Sequence, residues 1–181
     1  MPHSTNKEKV IGYLQTIKNN YALTQAGILF LAAPDAPQKF EEYYSHIFGK
    51  PEAQFGYIRY VFEDYDLLKH STNELRKSVL RNCLKETFEM LKAELQTQEE
   101  KELLFRAPWY RFLRMTRNSL SHDFKFRFRD SDKSRLPVSW SDLTITIEME
   151  DDFLPMAGFL TRAKVQQLLD EIAEYIKENI R

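Results

Sequence analysis

The final segment of the chain carries apolar side chains at intervals of three and four residues, and this spacing most constrains the fold. It places those side chains on one face of an α-helix. The predicted helix is opened by Thr161, and its buried face comprises Val165, Leu168, Leu169, Ile172, Ile176 and Ile180. The same spacing recurs over Leu75, Val79, Cys83, Leu84, Phe88, Leu91 and Leu95. Because the 181 residues also include only five glycines, we predict a helical bundle.

Further helices are predicted upstream. Residues 7–19 and 24–33 indicate two helices separated by a break at Asn19 and Asn20, and a third helix follows from residue 38 to 49. The helix that contains the Leu75–Leu95 stripe is expected to begin at Ser71, since Glu74 three residues later completes a capping box. Another is expected from Trp109 to about His122, because Pro108 suits a first helical turn.

Two short stretches change to a period of two, which predicts β-strands. Phe124, Phe126 and Phe128 alternate with basic residues, and apolar residues alternate with polar ones from Leu143 to Met149. We expect the two stretches to pair as a hairpin between the basic helix and the C-terminal helix. The predicted fold is therefore mainly α with one small β-hairpin, in a single domain spanning residues 1–181.

Composition places the chain among reduced, cytoplasmic proteins. Cys83 is the only cysteine, it lies on an apolar helical stripe, and it is expected to be a buried core residue. The longest apolar run, residues 26–33, is too short to span a membrane, so no membrane partner is expected. His3, His46 and His70 are scattered without metal-ligand spacing, and the sequence predicts neither a metal site nor another cofactor.

The distribution of charge is strongly uneven, although the formal net charge is −1. Residues 105–129 contain seven bases and a single acid, Asp123, for a net charge of +6. Residues 130–181 contain eleven acids and six bases, for a net charge of −5. A basic segment confined to one part of a nearly neutral chain indicates a local anion site.

The predicted basic helix separates its apolar and basic residues on opposite faces. Its apolar face is formed by Trp109, Phe112, Leu113, Thr116 and Leu120. Its polar face is formed by Tyr110, Arg111, Arg114, Arg117, Asn118, Ser121 and His122. Ordinary solvated helices mix charges of both signs, whereas this face has no acid. It is interpreted either as the binding face for an anionic partner or as a plain solvated surface.

The residue types on this face suit phosphate chemistry. A guanidinium binds phosphate through two parallel hydrogen bonds, and a histidine can move a proton near neutral pH. RNA supplies its own nucleophile, the 2′-hydroxyl, so such a site needs no metal. Arg117 and His122 are five residues apart, about 140° around an ideal helix. Joint action on one phosphate therefore requires that the helix end near His122 or that a second copy complete the site.

The run Arg117-Asn118-Ser119-Leu120-Ser121-His122 resembles the R-x(4-6)-H motif of HEPN domains, which lies at the end of a helix in an all-helical and often dimeric fold. The resemblance implies a metal-independent endoribonuclease of a toxin or antiphage system, leaving 2′,3′-cyclic phosphate ends. It implies catalytic roles for Arg117 and His122, with Asn118 in support. Expected partners are RNA, a second copy of the chain, and an antitoxin or regulatory protein. We add expected RNA contacts at Arg111, Arg114, Ser121, Lys125 and Arg127.

Two other functions remain open. An inactive HEPN-like module would bind a nucleotide or partner protein through the same residues without cleaving RNA. A winged-helix-like DNA-binding protein would insert the basic helix in the major groove and form its wing from FKFRFR and LTITIEM. The aromatic stretch from Tyr57 to Leu68 is predicted to belong to the core, or to an interface if the chain dimerises.

Overall fold

The computed structural model describes residues 6–48, 59–154 and 158–180, and it is mainly helical with one small antiparallel hairpin, as predicted. The long helices are α1 (Asn6–Leu31), α2 (Ala36–Phe48), α3 (Tyr65–Glu94), α4 (Gln98–Arg106), α5 (Tyr110–Ser121) and α7 (Arg162–Asn179). The short elements are α6 (Asp130–Lys133), β1 (Val138–Trp140), β2 (Leu143–Ile145) and a 3-10 turn at Ile147–Met149. Residues 59–63 are also helical.

The chain divides into two compact units. One comprises residues 1–19 and 81–181, and the other comprises residues 20–80. We call them the motif unit and the 20–80 unit. The prediction of a single domain spanning residues 1–181 stays a prediction.

The core of the motif unit is built around α5 and α7. All six apolar residues predicted for the C-terminal helix are buried, from Val165 to Ile180. The start of α7 is also as predicted, because the Thr161 hydroxyl accepts a hydrogen bond from the Lys164 amide at 3.3 Å. Cys83 is buried, which confirms its predicted place in the core. Burial raises the pKa of its thiol to about 12.

Two predicted helix boundaries are wrong. Helix α1 runs without a break through Asn19, whose side-chain oxygen accepts a hydrogen bond from Gln15 one turn earlier at 2.8 Å. This bond satisfies the amide on the helix surface, so the weak helix propensity of asparagine does not end the helix. Helix α3 begins at Tyr65, so Ser71 lies in its interior. The Asp64 carboxylate accepts the Leu67 amide hydrogen bond at the start of α3.

The capping box in the motif unit lies instead at the start of α4. The Thr97 hydroxyl accepts from the Glu100 amide at 3.2 Å, and the Glu100 carboxylate accepts from the Thr97 amide at 2.9 Å. These reciprocal bonds satisfy two backbone donors that a helix start would otherwise leave unpaired. The chain therefore ends α3 at Glu94 and begins α4 at Gln98.

The predicted hairpin exists, but its strands are not the predicted pair. Strand β2 pairs with β1, with Val138 opposite Ile145 and Trp140 opposite Leu143. The loop is therefore only two residues long, and such a short closure costs less chain entropy than joining Phe124–Phe128 to residues 143–149 across a long loop. The Phe124–Phe126 backbone bonds to residues 151–154 instead, including Phe126 N–H to Asp152 O at 3.0 Å.

The aromatic stretch is less buried than predicted. Tyr60 and Tyr65 are 59% and 73% exposed, so the core prediction is wrong for both. Tyr57 lies outside the described residues. The phenols prefer water when no polar partner is available inside, and these two rings lie on the surface of the 20–80 unit.

Among the described helices, none combines the length and apolar character needed to cross a membrane.

Candidate functional site at the end of helix α5

Aromatic contacts fix helix α5 in the core. The Phe112 ring lies 5.2 Å from Trp140, and the Trp109 ring lies 5.8 Å from Tyr175 in an edge-to-face arrangement. All five residues predicted for the apolar face are buried, Trp109, Phe112, Leu113, Thr116 and Leu120. The helical spacing therefore predicted the orientation of α5, and this orientation determines where its arginines emerge.

Tyr110 was predicted on the polar face, and this prediction is wrong. Its ring stacks on Phe88 of α3 with centroids 5.8 Å apart and contacts Phe105 edge-on at 5.2 Å. Burial raises the pKa of the Tyr110 phenol, and the nearby Arg114 charge opposes that rise. Tyr110 thus anchors α5 against α3 and α4 and does not serve the exposed basic surface.

Arg117 is held from three sides. Its guanidinium carbon lies 5.6 Å above the Phe88 ring, Nη2 forms an ion pair with the Glu89 carboxylate, and Nη1 donates to Asn118 Oδ1 at 3.2 Å. The Arg117 side chain is only 24% exposed. A guanidinium confined in this way loses little further conformational entropy when it meets a ligand.

Arg117 nevertheless retains donors for an anion. A guanidinium has five N–H groups, and the two bonds to Glu89 and Asn118 occupy one on each Nη. The Nε group is buried and has no hydrogen-bond partner within the described residues. One hydrogen on each Nη therefore remains available to a phosphate oxygen.

Arg114 has a structural partner. Its Nη2 atom lies 3.1 Å from Oδ1 of Asp132 in α6, and the Asp132 side chain is only 3% exposed. The contact is an ion pair without hydrogen-bond geometry, since Oδ1 accepts no hydrogen bond within the described residues. A carboxylate buried to this degree requires a nearby cation. The arginine predicted to contact RNA therefore compensates a buried charge in its own unit.

These two ion pairs change the interpretation of the acid-free face. Asp132 and Glu89 supply Arg114 and Arg117 with opposite charges from other elements, although the α5 face itself contains no acid. Sequence reasoning missed both acids.

The motif helix ends one residue before its histidine. Ser121 is the last residue of α5, and His122 has φ −113° and ψ 56°, outside the helical range. Asp123 and Phe124 follow with φ of 52° and 62°, and the Lys125 amide donates to the His122 carbonyl at 2.9 Å. The expectation that the helix ends near His122 is confirmed. The turn removes His122 from the ideal 140° relation to Arg117.

Two successive left-handed residues without glycine carry a backbone cost of about 1–3 kcal/mol each. Burial of the Phe124 ring offsets part of that cost, since the residue is only 7% exposed. The Leu154 amide also donates to the Phe124 carbonyl at 2.6 Å. The turn that carries His122 is therefore fixed at Phe124, through the buried ring and the backbone hydrogen bond from Leu154. The imidazole itself is exposed and has no hydrogen-bond partner within the described part of the chain.

Arg81 is a second arginine at this helix end that the sequence did not single out. Its Nε donates to the Leu120 carbonyl at 2.9 Å, and its guanidinium lies 5.0 Å above the Phe124 ring. A cation at a helix C-terminus satisfies a free carbonyl and opposes the helix dipole. Arg81 thus joins the last turn of α5 to the turn that presents His122.

The remaining predicted contacts lie at both ends of α5 and in the stretch that follows it. Arg111 is exposed and has no ion pair within the described residues. Lys125 lies 4.7 Å above the Phe153 ring, and Arg127 pairs with Asp151. The Ser121 hydroxyl donates to the Arg117 carbonyl at 3.1 Å, a bond within the helix. Of the four charged residues among the expected RNA contacts, Arg111 alone is neither paired nor stacked within the described residues.

The wing of the winged-helix alternative is not formed as that hypothesis requires. Its two strands were FKFRFR and LTITIEM, whereas β2 pairs with β1 and the FKFRFR stretch bonds to residues 151–154.

Within the residues that the structure covers, no group of three or more histidine, cysteine or acidic side chains is arranged to hold a metal ion.

Comparisons with known proteins do not place the chain in a family. Protein-family profiles, curated proteins and solved structures all give no match.

Proposed function

We propose that the chain is a metal-independent endoribonuclease of the HEPN type. The observation that carries the proposal is the arrangement at the end of α5. There, Arg117 is held between Phe88 and Glu89 beside Asn118, and the turn immediately after the helix presents an exposed His122. The sequence resemblance supplies the reaction class. The contacts supply a confined arginine on α5 and an exposed histidine in the turn that follows the helix.

The proposed reaction is transesterification within RNA. The 2′-hydroxyl loses its proton to a base, O2′ bonds to the adjacent phosphorus, and the P–O5′ bond breaks as O5′ takes a proton. The products are a 2′,3′-cyclic phosphate and a 5′-hydroxyl end. Arg117 would bind the phosphate and stabilise charge that develops on its oxygens, and His122 would transfer a proton. Asn118 would orient the Arg117 guanidinium through its hydrogen bond.

A second copy of the chain completes this proposal. The reaction needs a base that removes the 2′ proton and an acid that protonates O5′. A single imidazole can serve as only one of these at a time. A two-fold dimer of α5 helices would supply two His122 side chains to one phosphate. A cytoplasmic toxin or antiphage setting, with an antitoxin or regulatory partner, belongs to the same proposal and rests on the family resemblance.

One observation favours a second candidate, an RNA- or nucleotide-binding module without turnover. The Glu89 carboxylate already neutralises Arg117, and a phosphate must compete with it. Such a module would bind through Arg117 and leave the phosphodiester intact.

The test is RNA cleavage in EDTA. Total RNA and a defined tRNA are incubated with the wild type, Arg117→Ala, His122→Ala and a control, Lys177→Ala, which changes an exposed cation paired with Glu174 on α7. The proposal expects cleavage by the wild type and the control, loss in both site variants, and cyclic phosphate ends. Intact RNA that is bound through Arg117 would favour the inactive module. Cleavage that persists in both site variants would remove this site from consideration.

A further inference from the structure

The 20–80 unit contains a cavity of about 510 Å³ between the α1–α2 loop and the first half of α3. Its walls are largely apolar and include Leu31, Pro34, Pro37, Phe62 and Leu68. This volume lies within the range of about 300–1,000 Å³ that is typical of small-molecule sites. The cavity therefore has the size and the walls to hold one small organic ligand.

One wall carries three polar side chains from a single face of α3. Lys69, Asn73 and Arg76 are spaced by four and three residues, so they follow one another along the helix surface. The Arg76 guanidinium donates to Asn73 Oδ1 at 3.3 Å, and the Lys69 ammonium lies 5.9 Å above the Tyr65 ring. Neither cation has a carboxylate partner within the described residues, and no carboxylate lines the cavity.

Two other cavities lack this charge pattern. One is lined by Lys39 together with Glu42, and another by Lys18 together with Asp170 and Glu174. Their cations lie beside acids, whereas the described residues that line the Lys69–Arg76 wall include two cations and no acid. Two cations facing a partly apolar cavity focus a positive potential inside it, and this favours an anion.

The rim adds an aromatic surface. The Tyr65 side chain is 73% exposed beside Lys69, and Phe62 lies in the apolar wall and contacts Phe40 at a centroid distance of 6.1 Å. An exposed ring beside an unpaired cation suits a ligand that has an aromatic part and an anionic part. Stacking of a nucleobase on an aromatic side chain contributes about 1–3 kcal/mol.

We propose that this cavity binds a nucleoside monophosphate, with its base against Tyr65 and Phe62 and its phosphate at Lys69 and Arg76. Asn73 supplies a side-chain amide between the two cations, which can donate to a phosphate or ribose oxygen. The site shares no residue with the Arg117–His122 site, so it stands whether or not the chain cleaves RNA.

The experiment is calorimetric titration of the full chain with AMP and UMP, beside adenosine and inorganic phosphate. The variants are Lys69→Ala and Arg76→Ala, and the control is Lys77→Ala, which removes an α3 cation paired with Glu74 outside the cavity. Each site variant is expected to weaken nucleotide binding roughly tenfold, the loss of one charge-assisted hydrogen bond. The control is expected to bind as the wild type does.

Each outcome decides the proposal. Binding of AMP or UMP that exceeds both adenosine and phosphate and falls in both site variants supports it. No binding of either nucleotide at millimolar concentration overturns it, as does binding that is unchanged in both variants. If phosphate alone binds as tightly as AMP, the aromatic part of the proposal is wrong. Circular dichroism of each variant identifies a folding failure, and then Lys69→Gln and Arg76→Gln replace the alanine variants.

Discussion

Replacing Arg114 with methionine should destabilise the protein because it leaves the Asp132 carboxylate buried without a cation. Asp132 is only 2% exposed, and Arg114 is the cation at 3.1 Å. Methionine keeps much of the length of the arginine side chain, so the change removes the charge with little loss of packing. The alternative role of Arg114, a contact to RNA, predicts no effect on stability in the absence of RNA.

The magnitude follows from the burial of the two partners. Breaking a buried ion pair by removing one partner costs about 3–5 kcal/mol. The Arg114 side chain is 27% exposed, so water reaches that end of the pair, and we expect a loss near the lower limit, about 3 kcal/mol. For a chain of 181 residues this corresponds to a fall in melting temperature of roughly 6–12 °C.

Urea unfolding monitored by circular dichroism measures the loss. Arg111→Met is the matched control, since Arg111 lies on the same helix, is exposed and has no ion pair within the described residues, and its change should stay within about 0.5 kcal/mol. Adding Asp132→Asn to Arg114→Met should recover part of the loss, because the unpaired charge is then gone. A loss below about 1 kcal/mol for Arg114→Met, or no coupling between the two changes, would refute the reasoning.

Three further predictions follow from neighbouring contacts. Glu89→Gln keeps an acceptor for Arg117 but removes the competing charge, so RNA binding at low salt should tighten roughly fivefold. Glu89→Ala should instead lower the cleavage rate, because it releases the Arg117 guanidinium. Filter binding and single-turnover kinetics measure the two effects separately, and identical behaviour of the two variants would contradict the account. Arg81→Ala should lower the free energy of unfolding in urea by about 1–2 kcal/mol, because the Leu120 carbonyl loses its donor. Arg81→Lys should restore only part of that free energy. A fully stable Arg81→Ala variant would show that this contact is unimportant. Cys83, with the pKa of its thiol raised to about 12, should react slowly with a maleimide at pH 8 in the native protein and rapidly in denaturant. Mass spectrometry measures the labelling, and fast labelling of the native protein would contradict the burial of Cys83.

The parts of the fold that the sequence predicted are those set by local periodicity. The α7 stripe and the apolar face of α5 follow from spacing alone, and both are buried as expected. Alternation in the β-segments indicated which side chains face inward, but it carries no information about the partner strand. The choice between β1 and the Phe124–Phe128 stretch is decided by loop length and by the rest of the core.

The partners of the basic helix could not be predicted in the same way. Asp132 lies in a four-residue helix, and Glu89 lies 28 residues before Arg117, so neither pairing has a local sequence signal. The position of His122 was partly predictable, because a helix that runs into an alternating stretch must end nearby. The left-handed pair at Asp123 and Phe124 was not, since phenylalanine has no preference for that conformation.

The most direct test of the proposed reaction concerns the 2′-hydroxyl. After the principal cut in a defined RNA is mapped in EDTA, the same RNA is made with a single 2′-deoxynucleotide on the 5′ side of that cut. The account predicts that the all-ribose RNA is cleaved there to a 2′,3′-cyclic phosphate and that the substituted RNA stays intact at that position. Equal cleavage of both RNAs, or no cleavage of the all-ribose RNA by the wild-type chain, would contradict the assignment of Arg117 and His122 to assisted 2′-hydroxyl attack.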